Sequence, residues 1–190
     1  RPEFEKLMRV APNEFQEPYF FQTALTDPAY FCGYARLRNS TTTGAIIGHT
    51  EEYNCGIYID IYVMNGYIED AGRFDRQLKK RRFSEAVVKL FQPKSPTSNL
   101  FKKCIKAIVR PLVKAMTTYE RAVKRYWDVI GEYDEVAEKV SLMTHVVSFI
   151  LQYNIYKTDF EDIIYVDFEN ISIPVPASYD RVLKDIYGDY

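Results

Sequence analysis

The sequence predicts a mixed α/β chain of the α+β type, with a basic helical arm inserted near its middle. Three observations predict it. Gly56-Ile57-Tyr58-Ile59-Asp60-Ile61-Tyr62-Val63-Met64 is a β-branched and aromatic run of strand length. Between Phe74 and Ile130 the apolar residues recur at a roughly 3.6-residue period, with Arg and Lys opposite them. Strand character then returns between Val140 and Val175. A single domain over residues 1–190 is expected, with the arm at 70–131.

The elements follow in order. Arg1 to Met8 reads as the first turns of a helix, with Pro2 at an early position and acids in the first turn. Pro12 to Pro28 reads as an irregular crossing carrying Tyr19-Phe20-Phe21. Phe31 to Leu37 reads as a strand, and Gly44 to Gly48 as a loop or a second short strand. The run from Gly56 looks buried on both faces, and Asn65-Gly66 ends it as a turn.

In the arm, Phe74, Leu78, Phe83, Val87, Leu90 and Phe91 mark the apolar side of a first helix, and Gln92 to Asn99 is a loop by composition. A second helix begins near Asn99, with Phe101, Cys104, Ile105, Ile108, Leu112 and Met116 on its apolar side, and Pro111 is expected to kink or divide it. A third runs from Thr117 to Ile130 and stops at Gly131. Val140 to Leu151 reads as a strand, and Asp162–Val166 with Ile171–Val175 as a hairpin around Glu169-Asn170. Tyr179 to Tyr190 reads as a helix with a stop at Gly188.

With 47% hydrophobic and 15% aromatic residues the chain can bury a real core, which excludes wholesale disorder. Its longest apolar run, Leu142 to Leu151, is broken by Thr144, His145 and Ser148. It is too short and too polar to span a bilayer, and the N-terminus does not read as a signal peptide. The net charge of -1 conceals a strong pattern: Gly72 to Tyr126 holds 16 Lys and Arg against three acids, between two acidic flanks. Cys32, Cys55 and Cys104 are odd in number and widely spaced. With only His49 and His145 to help, neither a zinc site nor a disulfide framework is expected, and a reducing, cytoplasmic setting is.

Asp60 is the sharpest candidate. Strand alternation puts Tyr58, Asp60 and Tyr62 on one face and Ile57, Ile59 and Ile61 on the other. An acid in such a run is either paired with an arginine or backbone amides, or it serves chemistry, as a metal ligand or catalytic group. Arg36 and Arg38 share one face of their strand and run into Asn39-Ser40-Thr41-Thr42-Thr43. Guanidinium forks beside the hydroxyls of Ser40 and Thr41 suit phosphate, although a solvated strand edge has the same pattern. Lys79-Lys80-Arg81-Arg82 suits an anionic glycan carrier, phospholipid head groups or nucleic acid, or is simply a solvated helix face. His49 and His145 read as ordinary core or surface residues.

Arg36-Leu37-Arg38-Asn39-Ser40-Thr41-Thr42 followed by Gly56-Ile57-Tyr58-Ile59-Asp60-Ile61-Tyr62 resembles the LicD family, which is related to fukutin and fukutin-related protein. Phe4-Glu5-Lys6-Leu7, Glu17-Pro18-Tyr19-Phe20-Phe21-Gln22-Thr23, Phe168-Glu169, Ile173-Pro174-Val175-Pro176, Tyr179-Asp180-Arg181-Val182-Leu183 and Tyr187-Gly188-Asp189-Tyr190 are similar to family motifs in the same order. The resemblance implies a nucleotidyltransferase-like mixed sheet with flanking helices. It also implies a metal-dependent transferase that moves a phospho-alcohol, phosphocholine or ribitol phosphate for example, from a CDP-linked donor to a hydroxyl of a cell-surface glycan. By that resemblance Asp60 is a catalytic and metal-binding carboxylate, serving Mg2+ or Mn2+. Arg36 and Arg38, with Ser40 and Thr41, bind the donor, and Lys79, Lys80, Arg81 and Arg82 meet a lipid-linked acceptor or an anionic membrane at its inner face. The competing class is a non-catalytic module whose arm grips nucleic acid or another anionic polymer.

The chain departs from the family pattern in four places. An acidic run of the form DDDID is expected upstream of Arg1, Val63 stands where the family has proline, Asn65 where an Asp often follows, and a Pro-rich continuation is expected beyond Tyr190. Both ends therefore read as cut from a longer chain. One carboxylate does not hold a metal that needs several oxygens, so this piece is expected to be inactive alone and to bind the metal poorly.

Overall fold

The amphipathic N-terminal helix α1 (Pro2–Glu14) runs further than its opening turns announce, straight through Pro12. Its Phe4, Leu7, Met8 and Ala11 recur at helical spacing and pack on Phe21, Ala35 and Ile61, one face of a three-stranded antiparallel sheet. That sheet has the order β1 (Tyr19–Gln22), β2 (Ala35–Asn39), β3 (Ile57–Ile61). The computed structural model describes residues 2–44, 53–92, 100–151 and 155–190, those at 100–106 through their backbone only. The expected element after Gly44 therefore lies almost wholly outside the described residues, as does most of the loop after Gln92.

Three expectations are corrected in this first half. β1 forms inside the stretch read as irregular. β2 starts later than Phe31, because Phe31 leaves the strand path to pack edge-on against Tyr126 at 5.2 Å. β3 is not buried on both faces: it is an edge strand, with Ile57 56% and Ile59 63% exposed.

A second antiparallel sheet joins β4 (Asn65–Tyr67), β5 (Lys139–Ser141) and β6 (Ile155–Tyr156). Asn65-Gly66 is thus the start of a strand rather than a turn. Asp134 makes this possible by accepting from the Gly66 amide at 2.7 Å and from the Asn65 side chain at 3.3 Å. Gly66 itself is required by proximity, since a β-carbon there would lie 2.3 Å from the Tyr133 carbonyl oxygen.

The basic third forms three helices: α2 (Ala71–Lys89), α3 (Leu100–Met116) and α4 (Tyr119–Ile130). α3 continues through Pro111 without dividing. α4 is capped by Thr118 and ends at Gly131, as expected. α2 and α4 are walls of the main core, in which Phe74, Leu78, Val88, Ala122, Val123, Tyr126 and Ile130 surround Met143 and Ile150. The apolar stripe of α2 has a different phase from the one read in the sequence. Phe83 is 67% exposed, while Gln77, Arg81 and Ser84 are buried in the stripe. Two of them are partly compensated by carbonyls: Arg81 Nη1 donates to those of Met143 and His145, and Gln77 Nε2 donates to Val129 and Ile130 at 3.0 and 3.2 Å, satisfying two acceptors that the end of α4 leaves open.

Val140 to Leu151 is not one strand. After β5 the Ser141 hydroxyl donates to the Ile150 carbonyl at 2.8 Å, and the chain curls into the short helix α5 (Val147–Ile150). The expected hairpin is present as β7 (Ile163–Phe168) and β8 (Ile171–Pro176), turning at Glu169-Asn170. Helix α6 (Tyr179–Tyr187) follows and stops at Gly188. Buried Asp159 ties this tail to β6, accepting from the Tyr156 amide at 2.7 Å and from Arg181 Nε at 3.0 Å.

Among the described residues there are six α-helices and three small antiparallel sheets, an α+β composition. No helix among them is long and apolar enough to cross a membrane.

The close approach at Gly66 gives a direct test. Gly66→Ala should lower the unfolding free energy by about 2–3 kcal/mol through overpacking against backbone. Gly72→Ala, on the exposed first turn of α2 where a β-carbon meets nothing closer than 3.4 Å, should raise it by about 0.5–1 kcal/mol. Chemical denaturation of both variants checks the contrast.

Candidate functional site

Antiparallel pairing sets Arg36 directly opposite Asp60 and Arg38 opposite Tyr58. Because side chains alternate, Phe20, Gln22, Arg36, Arg38, Tyr58 and Asp60 share the face of the sheet that α1 does not cover. The sheet is therefore sharply two-sided, with Phe21, Ala35 and Ile61 against α1 and cations, an acid and phenols on the reverse.

Arg36 Nε donates to Asp60 Oδ1 at 2.7 Å, and the two side chains are 13% and 23% exposed. Asp60 Oδ2 accepts from the Tyr62 hydroxyl at 3.0 Å, and Arg36 Nη2 donates to the Tyr34 hydroxyl at 3.2 Å. The guanidinium lies over the Tyr58 ring at 3.8 Å from its centroid, a cation–π contact that helps offset its partial burial. Burial pulls the Arg36 pKa down, but the hydrogen bond to Asp60 and the neighbouring phenols raise it overall, so the charge is fixed. The Tyr34 phenol is pushed up by burial and the Cys32 thiol, and that of Tyr30 by the same causes.

Arg38 lies deeper, 2% exposed, and is spent on structure. Its Nε donates to Gln22 Oε1 and its Nη1 to the Gly56 carbonyl. Gln22 passes the interaction on, its Nε2 donating to Asp27 Oδ2 at 2.8 Å, so the carboxylate that balances Arg38 stands one side chain away. The Tyr58 ring also serves Arg38, whose guanidinium carbon is 4.6 Å from its centroid.

A ring cluster closes the Asp60 end. Tyr34 and Tyr62 meet at 4.6 Å, Tyr62 and His145 at 5.0 Å, and His145 and Phe149 at 5.1 Å. Arg81 positions this histidine from behind. Its Nη1 donates at 2.6 Å to the carbonyls of both Met143 and His145. Burial lowers the His145 pKa from its ordinary 6.5; the Asp60 carboxylate opposes that shift and the Arg81 cation adds to it.

The other expected site residues are placed apart. Ser40 and Thr41 are exposed at the end of β2, with Ser40 Oγ accepting from Asn54 at 2.8 Å and Thr41 Oγ1 donating to Asn39 at 2.7 Å. From Arg36 that turn is roughly 13 Å along the strand. Lys79, Lys80 and Arg82 face outward, but Arg81 faces inward, since consecutive helical positions are about 100° apart and four of them cannot share one side. Lys79 pairs with Asp75 at 2.7 Å and Lys80 with Glu132 at 2.6 Å. His49 lies outside the described residues.

Asp60 does not by itself make a divalent-metal site. Both of its oxygens already accept, and no group of three or more His, Cys, Asp or Glu residues suited to a metal occurs among the described residues. What the sequence reading missed is the company Asp60 keeps, in Tyr30, Tyr34 and His145. Only tertiary folding assembles them, and no local pattern announces it.

No family model, no curated protein and no solved structure matches this chain.

Two measurements probe the site. A double-mutant cycle of Arg36→Gln and Asp60→Asn should return a coupling of about 1–2 kcal/mol in unfolding experiments, as for groups in direct contact that are partly exposed. For His145 the folded pKa lies below the unfolded value of 6.5, so the unfolded chain binds the proton more readily. Its contribution is fully present above 6.5 and is lost as the pH falls from 6.5 through the folded pKa. NMR titration should place the His145 pKa below 6.5, and His145→Gln should flatten the acid side of the stability profile.

Proposed function

We propose that this chain carries the donor-recognition face of a transferase of the LicD type. Such an enzyme moves a phospho-alcohol from a CDP-linked donor to a glycan hydroxyl. The nucleotidyltransferase-like organisation and the work at the inner face of a membrane belong to the same reading. One observation carries it: Arg36 and Asp60, from two separate motifs of the resemblance, pair directly across β2 and β3 at 2.7 Å.

The chemistry of that pair suits the task. A guanidinium fork binds carboxylate and phosphate with the same planar geometry, so a donor phosphate can take up donors of Arg36 that Asp60 leaves open. Asp60 and the Tyr30, Tyr34 and Tyr58 rings hold the fork in place beforehand, which reduces the ordering required on binding. Arg38 braces β2 and the Gly56 carbonyl and so keeps Arg36 aimed. A divalent cation would supply charge neutralisation at the donor diphosphate. Within these residues it finds one engaged carboxylate, so the proposal rests on Arg36 rather than on the metal. The polymer-gripping alternative is weakened by the tetrad, where Arg81 is turned inward and Lys79 and Lys80 are paired with acids.

The test uses the protein as its gene encodes it. Release of CMP from CDP-choline, CDP-ribitol and CDP-glycerol is followed with cell-envelope glycan as acceptor. Arg36→Gln should raise the donor KM about 10-fold, and Asp60→Asn, which loosens Arg36 without removing it, should raise it by no more than that. An Arg36→Gln protein that is folded by circular dichroism and keeps an unaltered donor KM removes the proposal, as does the absence of CMP release from every donor.

A further inference from the structure

Helix α3 departs from the rule that a surface helix hides its apolar side. It carries five Lys and Arg and no acid over Leu100–Met116. Its inward contacts are partly polar: Arg110 Nη2 donates to the Gln92 carbonyl at 3.0 Å, Lys114 stands 6.0 Å from the Phe91 ring centre, and Val109 and Val113 are half-buried. The outward side is apolar instead. Ile108, Leu112 and Met116, one helical turn apart, are 67%, 60% and 84% exposed, with Ala107, Pro111 and Ala115 exposed beside them. The sequence pattern assigns Phe101, Cys104 and Ile105 to the same side.

We propose that α3 is an interfacial anchor that lays its Ile108–Leu112–Met116 stripe into the surface of an anionic bilayer. At about 1.5 Å per residue a 17-residue helix is roughly 26 Å long. Its basic residues keep it from spanning, so it lies along the head-group plane with its apolar side down. Charge complementarity selects the occupant. Five cations without one acid are attracted by phosphatidylglycerol head groups, whereas a second copy presents the same cations and is repelled. The inference does not rest on the transferase reading. It also moves the membrane contact from the Lys79–Arg82 tetrad to a different helix.

The test is co-sedimentation of the protein with unilamellar vesicles of phosphatidylglycerol and phosphatidylcholine, against vesicles of phosphatidylcholine alone. Binding should require the anionic lipid and weaken with salt. The triple variant Ile108→Ser, Leu112→Ser, Met116→Ser, whose sites are all exposed, should lose at least 10-fold in vesicle affinity with unchanged circular dichroism. Lys79→Glu, Lys80→Glu, Arg82→Glu together should change it less than 3-fold. Equal binding by the triple serine variant overturns the proposal. So does failure of the unaltered protein to bind anionic vesicles, or lipid-free dimerisation that the serine variant abolishes.

Discussion

The ion pair between Arg36 and Asp60 fixes more of this molecule than its 2.7 Å contact suggests. It locks β3, an edge strand, in register on β2, and a slip of one residue would send every side chain of β3 to the opposite face. With that register set, Phe21, Ala35 and Ile61 meet α1, and the phenols collect on the reverse around two guanidinium groups. The pair is only partly buried, so it avoids most of the desolvation cost of a fully enclosed one. The Tyr58 ring supplies an electron-rich surface to both of these cations, which repel each other.

Residues far along the chain converge on this pair. His145 reaches its surroundings through the Tyr34 and Tyr62 rings, Arg81 holds the carbonyls of Met143 and His145 from behind, and Arg81 is held in turn by its place on α2 in the main core. The two hydrophobic clusters of the protein, one under α1 and one between α2 and α4, touch where the Phe4 and Trp127 rings meet edge-on at 6.1 Å, and the rings and charged groups form a seam on the face of the sheet that α1 does not cover. A polar seam of this kind stays ordered only while nearly all its donors and acceptors are matched.

Much of this was legible in the sequence because alternation along a strand is strict. From it alone, Asp60, Tyr58 and Tyr62 were assigned to one face and Arg36 and Arg38 to another shared face. Pairing with an arginine was one of the two readings open for Asp60. The hairpin at Glu169-Asn170, the stop of α4 at Gly131 and the end of α6 are legible too, because their signals are local. Burial of β3 was misjudged because hydrophobicity does not reveal which strand stands at the edge. The phase of α2 is hidden in the sequence because Gln77 and Arg81 look like surface residues until carbonyls from α4 and the β5–α5 segment arrive to bond them. Asn65-Gly66 reads as a turn wherever no Asp134 is present to receive it. His145 had no local signal, since its partners lie tens of residues away in the chain.

The inward turn of Arg81 has a consequence for anyone reading phenotypes from this stretch. A substitution that neutralises Lys79, Lys80, Arg81 and Arg82 together removes three solvent-facing charges and one internal strut. Loss of the strut loosens the loop that carries His145, and the resulting defect would be scored as lost affinity for whatever ligand was under assay. Four adjacent basic letters are two different objects, and only the third of them belongs to the scaffold.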